Sequence, residues 1–238
     1  MTAAVPPTGG RAPRPSGATV RLDGVEPLTV VLVRHGVTPL TQVGAFSGSS
    51  VPGPGLAPAG RVQAAQAADR VRRVGRDTFP DLPRVSQVVA SPMVRTQETA
   101  AALGRRLGLH VATDARFAEL AFGEYEELVL PDVRDRDPEW VDRFYGGDAE
   151  VAAPGGESLL QLADRVEDGL ADLVRGGTDR TVAVVTHAMV VRVAVGRALG
   201  VAPSRWTRLR IVPASLTVLR LWPDGDAEAS VVGLPSDL

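Results

Sequence analysis

A short apolar segment that ends in arginine, histidine and glycine most constrains how this chain can fold. Residues 29–33 are mostly β-branched, which predicts a strand buried on both faces of a sheet. Arg34 and His35 follow where the strand ends, and Gly36 permits a sharp backbone turn. In open α/β sheets, ligands bind beyond the carboxyl ends of the strands. The segment therefore places a cation and a candidate nucleophile or base at a predicted binding site.

A second segment ends in a similar way, because residues 181–186 predict another buried strand and His187 follows it. If the two strands are parallel neighbours, His35 and His187 meet at one edge of the sheet. Two imidazoles beside Arg34 would suit an anionic ligand. The alternative is a pair of histidines that only cap strand ends. A metal site is not expected, because the chain has no cysteine and no His-x-x-x-His pair.

The remaining segments alternate between strand and helix patterns. Further strands are predicted at residues 85–90, 109–113 and 216–222, with an additional edge strand at 231–232. Helices are predicted at residues 59–75, 92–107, 138–145, 158–175 and 188–199, and Ser91 is the predicted N-cap of the second. This alternation predicts the α/β class, as a three-layer α/β/α sandwich with a mostly parallel central sheet.

Breaks in the pattern divide the chain into few parts. Residues 1–26 are rich in proline, glycine, alanine and arginine without periodicity, so we expect a disordered tail. Residues 27–238 are expected to form a single domain. Within it, residues 39–58 predict a long loop over the end of the first strand, and residues 120–156 an irregular insertion over the site.

Composition excludes several classes of function. The net charge of -2 gives no general attraction to nucleic acid, and no apolar run approaches the roughly 20 residues of a membrane span. The first residues lack the apolar core of a signal peptide, so a cytoplasmic protein is expected. The expected partner is a small molecule rather than nucleic acid or membrane, and a homodimer is left open.

Two further residues are candidates for chemistry. All 26 basic residues are arginine, so a single arginine carries little weight, but Arg95 lies in the first turn of a helix that follows a strand end. Glu119 is flanked by apolar residues, and burial would favour the protonated form that a general acid needs. The alternative is a surface glutamate, as expected for the nearby Glu126. His110 begins a strand, which indicates a structural or exposed histidine.

These residues fall into motifs that resemble the histidine phosphatase superfamily, the phosphoglycerate mutase-like fold. Residues 32–38 resemble its signature, and residues 46–48 with 56–60 resemble its substrate loop and the following helix start. Three other motifs agree in order and spacing, namely the second arginine motif at 91–100, the acid motif at 119–126, and the pair 155–158 and 184–187. The resemblance covers about residues 28–222.

The resemblance implies a role for each residue. His35 would be the nucleophile that becomes phosphohistidine, and Glu119 would protonate the leaving oxygen and then activate water. The phosphoryl oxygens would be held by Arg34, Arg95 and His187. Substrate contacts would come from the loop, at Thr41, Ser47 and Gly48. No metal or other cofactor is implied, since arginines supply the positive charge.

The chain also departs from the family pattern. Thr41 stands where many members have an asparagine that contacts phosphate, and Ser49 where one phosphatase branch often has arginine. Glu127 and Ala188 occupy positions where glycine is common. None of these departures removes a predicted catalytic group. They therefore affect the prediction of which substrate is used more than the prediction of activity.

The leading hypothesis is a metal-independent phosphomonoesterase acting on a small phosphorylated metabolite. A phosphoglycerate-type mutase is the alternative enzyme, but the insertion is acidic, and its Asp137-Pro138-Glu139 segment resembles the phosphatase branch. A catalytically silent phospho-ligand binder is the third hypothesis. Aromatic residues at 46, 122, 125, 140, 144 and 145 either line the mouth of the site or simply pack the insertion.

Overall fold

The computed structural model describes residues 21–237 of the chain. Of the predicted tail, residues 1–20 lie outside the described residues, while residues 21–26 are held by contacts. The Arg21 guanidinium pairs with Asp224 at 2.6 Å, and the indole N–H of Trp222 donates to the Val25 carbonyl at 3.0 Å. Residues 21–26 are therefore attached to the folded body.

A six-stranded sheet forms the centre of the molecule. Its strands are β1 (Leu28–Arg34), β2 (Val85–Ala90), β3 (Val111–Thr113), β4 (Arg180–Thr186), β5 (Leu216–Leu221) and β6 (Ala227–Leu234). The order is β3-β2-β4-β1-β5-β6, and β5 is antiparallel to both of its neighbours while the first four strands run parallel. The predicted α/β class with a mostly parallel sheet is confirmed.

Helices cover both faces of this sheet. They are α1 (Pro39–Val43), α2 (Pro58–Arg73), α3 (Val94–Leu107), α4 (Leu130–Arg136), α5 (Pro138–Gly146), α6 (Leu159–Arg175) and α7 (Ala188–Ala198). Successive residues of β1 point to opposite faces, so Val30 and Leu32 join a core with α6 and α7, while Val31 and Val33 join a core with α2 and α3. This alternation produces three layers.

Several local predictions were wrong. The predicted loop at 39–58 contains α1, which Thr38 caps by accepting from the Thr41 N–H at 3.1 Å. The insertion holds two helices, α4 and α5, rather than one. Ser91 is not the N-cap of α3, since Met93 occupies that position. The predicted edge at 231–232 is part of an eight-residue strand paired with β5. Among residues 21–237, no helix has the length and apolar character needed to cross a bilayer.

Candidate active site

The site begins where β1 and β4 end side by side. Arg34 pairs in register with Thr186, and the His35 N–H donates to the Thr186 carbonyl at 2.9 Å. His35 and His187 therefore leave the sheet together, with ring centroids 5.2 Å apart, and both are buried. The structure brings the two histidines to one edge of the sheet, as the strand ends predict.

The contacts of His35 determine which ring nitrogen is free. Its Nδ1 lies 2.7 Å from the Gly36 carbonyl oxygen. Because a carbonyl can only accept, Nδ1 carries the proton and the neutral ring has its lone pair on Nε2. Burial, reinforced by Arg95 and Arg34, lowers the pKa of His35 well below 6.5. His35 is therefore an uncharged imidazole with a nucleophilic nitrogen.

Gly36 is required here for space. A Cβ at this position would collide with the backbone of Gly60 at the start of α2, and a Cβ at Gly60 would collide with the backbone of Val37. This close approach sets the turn that carries His35 and its carbonyl partner.

His187 is held by a residue that sequence reasoning assigned to another role. Its Nε2 lies 2.7 Å from the Ser91 hydroxyl, and both residues have no exposed surface. The Met93 N–H donates to the same hydroxyl oxygen at 3.4 Å, which uses one of its two lone pairs and leaves the hydroxyl proton free to point at His187 Nε2. When the hydroxyl donates to Nε2, the ring proton of neutral His187 is on Nδ1, which is buried without a partner. Burial lowers the pKa of His187 well below 6.5.

Two guanidinium groups lie close to these rings with unused hydrogen-bond donors. Arg95 has no exposed surface, and its Nη2 donates to the carbonyls of Ser47 (2.8 Å) and Gly48 (2.9 Å). Its Nε and Nη1 are buried without partners. Arg34 donates from Nη1 to the Ile211 carbonyl at 2.6 Å, and burial lowers its pKa to about 10. Within residues 21–237 neither arginine pairs with a carboxylate, so both can receive an anion.

Glu119 is the buried acid of the cluster. Its Oε1 accepts from the Leu120 N–H at 2.9 Å, and its Oε2 accepts from the Met189 N–H at 3.3 Å in the first turn of α7. Burial raises the pKa of Glu119 against the opposing effects of these bonds and of Arg95. Arg165 fixes the segment by donating to the Glu119 carbonyl at 2.9 Å. The carboxyl is thus placed to hold and release a proton.

The loop after α1 reaches the site through its backbone. The carbonyls of Ser47 and Gly48 hold Arg95, and the Ser47 hydroxyl oxygen is buried without a partner. Glu126 accepts from the Gly48 N–H (2.7 Å) and the Ser50 N–H (3.1 Å), so its assignment to solvent was wrong. Thr41 lies in the first turn of α1, where its hydroxyl contacts that of Thr38 at 3.0 Å.

The aromatic residues divide into two groups. Five rings contact one another within the insertion and its adjoining loop, with centroid separations from 4.7 to 6.5 Å, namely Phe46, Phe122, Tyr125, Trp140 and Phe144. For these, packing of the insertion is the better account. Tyr145 is 43% exposed and remains available to a ligand.

Arg192 on α7 also lies at this site and was not singled out from the sequence. It donates from Nε to the Leu209 carbonyl at 2.8 Å and is partly buried. Burial lowers its pKa, while the charge of Glu119 opposes that shift. The available signal was a charged residue early in a nearly all-apolar helix. His110, by contrast, is exposed and precedes β3. No group of three or more potential metal ligands occurs among the described residues.

Comparison with known proteins gives consistent matches. A family model for the histidine phosphatase superfamily (branch 1) matches residues 30–232. The bifunctional protein Rv2228c of Mycobacterium tuberculosis is 32% identical over 206 residues, which is 87% of this chain and 54% of that protein. The chain therefore spans about half the length of this relative.

Two other relatives are similar over most of their length. A probable phosphoglycerate mutase, GpmB of Enterobacter sp. (strain 638), is 29% identical over 80% of this chain and 83% of its own. The solved structure of mycobacterial glucosyl-3-phosphoglycerate phosphatase Rv2419c is 27% identical, with a TM-score of 0.74 over 87% of this chain and 98% of that one. The same phosphatase has also been solved in complex with inorganic phosphate.

Proposed function

This chain belongs to the histidine phosphatase superfamily, branch 1, and we propose that it is a metal-independent phosphomonoesterase that acts on a small phosphorylated metabolite. The reaction proceeds through a phosphohistidine on His35. The observation that carries the proposal is the fixed tautomer of His35. Its Nδ1 is committed to the Gly36 carbonyl, so Nε2 has the lone pair, and Arg34 and Arg95 close to the ring retain buried N–H groups without partners.

In the first step, the Nε2 lone pair attacks phosphorus while the bond from phosphorus to the ester oxygen breaks. An alkoxide leaves poorly, so Glu119 transfers its proton to that oxygen and the product departs as a neutral alcohol. The raised pKa of Glu119 keeps the proton available. The depressed pKa of His35 keeps the nucleophile uncharged at neutral pH.

The transition state spreads negative charge over three equatorial phosphoryl oxygens. The free N–H groups of Arg34 and Arg95 and the Nδ1–H of His187 supply donors for these oxygens. They are already fixed by backbone carbonyls and Ser91, so little reorganisation is needed during the reaction. In the second step, water attacks the phosphohistidine and gives a proton to Glu119, which releases phosphate and restores both residues.

A mutase would need a closed and strongly cationic pocket to retain its intermediate. The insertion offers arginines, but each pairs with an acid on the surface, Arg134 with Asp142, Arg136 with Glu124 and Arg143 with Asp148. This pairing favours hydrolysis over mutase activity. The similarity to GpmB keeps the mutase as the second candidate.

The test is release of inorganic phosphate from 4-nitrophenyl phosphate by the purified chain in the presence of EDTA. We expect turnover that is insensitive to the chelator, together with an acid-labile, base-stable phosphoenzyme after rapid quenching. Phosphate binding without turnover would support the silent binder instead. Phosphoryl transfer between phosphoglycerate isomers, dependent on bisphosphoglycerate, would support the mutase.

A further inference from the structure

The sequence motif at residues 155–158 has no part in the proposed mechanism, yet the structure joins it to the proposed acid. Glu157 binds the backbone of Ala121, which lies two residues after Glu119. Its N–H donates to the Ala121 carbonyl at 2.9 Å, and its Oε2 accepts from the Ala121 N–H at 3.4 Å. The same carboxylate accepts from Nε and Nη2 of Arg165 on α6, each at 2.7 Å. A bidentate ion pair therefore lies beside the segment that carries the acid.

Arg165 uses all five of its N–H groups in this region. Two bind the carboxylate of Glu157, and the other three bind backbone carbonyls. Nη1 donates to the carbonyls of Arg116 and Ala118, both at 2.8 Å, and Nη2 donates to that of Glu119 at 2.9 Å. A planar guanidinium with every donor bonded is held in one orientation. The backbone before and at the acid is thus fixed to α6 at three points.

The segment that carries the acid has no regular structure of its own. Residues 119–122 form neither helix nor strand, and they lie between two 3₁₀ turns, Ala115–Phe117 and Gly123–Tyr125. Without a helical or strand pattern of backbone bonds, such a segment depends on contacts from neighbouring elements. The position of the Glu119 carboxyl follows from the position of this backbone, and an error of about 1 Å in a catalytic group can cost about a hundredfold in rate.

The charge of Arg165 is balanced where it acts. The side chains of Arg165 and Glu157 are 24% and 17% exposed, so water and salt screen their charges only in part. Three cations from other elements already face Glu119, namely Arg34 of β1, Arg95 of α3 and Arg192 of α7. A further unpaired cation from α6 would favour the ionised carboxylate and oppose proton donation. Glu157 removes that effect because it neutralises Arg165.

We infer that Arg165 and Glu157 are positioning residues for the proposed acid. Arg165 fixes the backbone that carries Glu119, while Glu157 orients Arg165 and balances its charge. The inference rests on the proposed phosphomonoesterase function. It makes the first chemical step depend on a pair of residues that act only through Glu119.

The first test isolates the step in which the acid donates its proton. Rapid-quench measurement in a single turnover gives the rate of phosphoenzyme formation from two esters. The leaving group of 3-hydroxypropyl phosphate needs a proton, and that of 4-nitrophenyl phosphate does not. Arg165→Met should slow the alkyl ester about 10- to 100-fold more than the aryl ester. A general effect on folding slows both esters equally and cancels in their ratio.

Two more variants assign this effect to the contacts of Arg165. Arg165→Lys keeps the charge but has fewer donors and no planar fork, so it should give an intermediate ratio. Arg175→Met is the matched control, because Arg175 lies on the same helix, is exposed and pairs with Asp172. Its ratio of alkyl to aryl rates should equal that of the parent chain.

The second test addresses the balance of charge. Glu157→Gln keeps the size of the side chain and leaves Arg165 as an unpaired cation. The pKa of Glu119 should then fall, so the pH above which alkyl-ester turnover declines should move to a lower value. Asp164→Asn removes the same charge from α6 at an exposed ion pair with Arg197, and it should leave that pH unchanged. A purely structural role would lower the rate without moving the pH profile.

The outcomes separate this inference from the function on which it rests. If the parent chain forms no phosphoenzyme and releases no phosphate, the phosphomonoesterase proposal fails and this inference fails with it. If the parent is active but Arg165→Met slows both esters equally, or Arg175→Met lowers the ratio as much, the positioning role is refuted. Where Arg165→Met does not fold, Glu157→Gln decides the matter. A profile that does not move, or that moves equally in Asp164→Asn, overturns the inference.

Discussion

The site end of the central sheet and the rim of the cavity at its other end hold their charged groups in opposite ways. At the carboxyl ends of β1, β2 and β4, Arg95 and His187 are fully buried and retain polar atoms without partners. At the other end, a cavity of about 580 Å³ lies between α6, α7 and the turn from β5 to β6. Arginines at its rim are exposed and paired, as Arg175 is with Asp172 and Arg197 with Asp164.

This difference supports the proposal that the chemistry lies at the carboxyl ends of β1, β2 and β4. Isolated charges are costly to bury, so a fold that retains them there sacrifices stability for a binding or catalytic role. A roomy cavity alone does not indicate such a role, because the distal cavity is lined largely by apolar side chains, among them Val166, Leu170 and Val193. The chemistry of the lining, rather than its volume, distinguishes the two ends.

The largest expected effect is the loss of the nucleophile. His35→Ala should lower phosphate release by about 10⁴-fold or more, since no other group replaces a covalent nucleophile. Steady-state assay and rapid-quench labelling measure this. His110→Ala is the control, because His110 is exposed and outside the cluster. Comparable loss in both variants would contradict the placement of the chemistry at β1 and β4.

The second largest effect is expected from the loss of the buried acid, Glu119. Glu119→Gln should slow alkyl phosphates by about 10²- to 10⁴-fold, the usual contribution of a general acid, and slow 4-nitrophenyl phosphate far less, because that leaving group needs no proton. The exposed Glu139→Gln serves as the matched control. Equal losses on alkyl and aryl esters would argue against the acid role.

The same variant has a defined pH signature. The folded pKa of Glu119 is raised above 4.5, so the acid form persists above that pH and alkyl-ester turnover falls as pH rises through the folded pKa. That basic limb should vanish in Glu119→Gln. The acidic limb of the pH–rate profile should lie below pH 6.5. The pKa of His35 is lowered, so the ring stays unprotonated and keeps its nucleophilic lone pair at pH 6.5. A basic limb that remains in the variant would exclude Glu119 as its source.

The third largest effect is expected when a hydrogen-bond donor to the phosphoryl group is removed. Arg95→Met should lower kcat/KM by about 10²- to 10³-fold. In the parent chain, inorganic phosphate at about 100 times its Kd should raise the free energy of unfolding by about 2.7 kcal/mol, which corresponds to an increase of about 5–10 °C in Tm. The Arg95→Met variant should lose most of this increase. Arg106→Met on the same helix, paired with Asp69, is the control. A full phosphate shift in Arg95→Met would show that the anion binds elsewhere.

A smaller effect is expected at Ser91, which we expect to set the tautomer of His187. Ser91→Ala should reduce kcat about two- to tenfold, the value of one neutral hydrogen bond, and Ser91→Thr should restore much of it. Nitrogen-15 NMR of His187 gives a readout that a purely structural role would not change. The parent should show a protonated Nδ1, and Ser91→Ala a mixture of tautomers. An unaltered spectrum would rule out this role.

The smallest effect should come from the distal end. Arg175→Ala breaks an exposed ion pair, and such pairs contribute little, so kcat/KM should not change and Tm should shift by less than about 4 °C. Calorimetry and the standard assay suffice. A large loss of activity would mean that the two ends are coupled, and the contrast between them would no longer hold.

The sheet and the candidate catalytic cluster could be predicted from the sequence for a simple physical reason. β-branched runs predict buried strands, and the residues that end parallel strands must share an edge, so positions 35, 95 and 187 could be placed together. Local pattern could not find the roles of Ser91 and Glu126. Each depends on a partner far along the chain, His187 for one and the loop at residues 48–50 for the other. Ser91 also satisfied the local rule for an N-cap, which hid its tertiary contact.

The carboxylate of Glu126 connects the insertion to the proposed phosphoryl donor Arg95. It belongs to the insertion, yet it orders the loop whose carbonyls orient Arg95. A graft of this insertion onto a related scaffold would therefore have to bring an equivalent acid with it, or the recipient would lose a phosphoryl donor along with its old selectivity. Because these contacts tie Glu126 to the loop, we expect variation of the insertion to be tolerated at its exposed periphery and not at this contact.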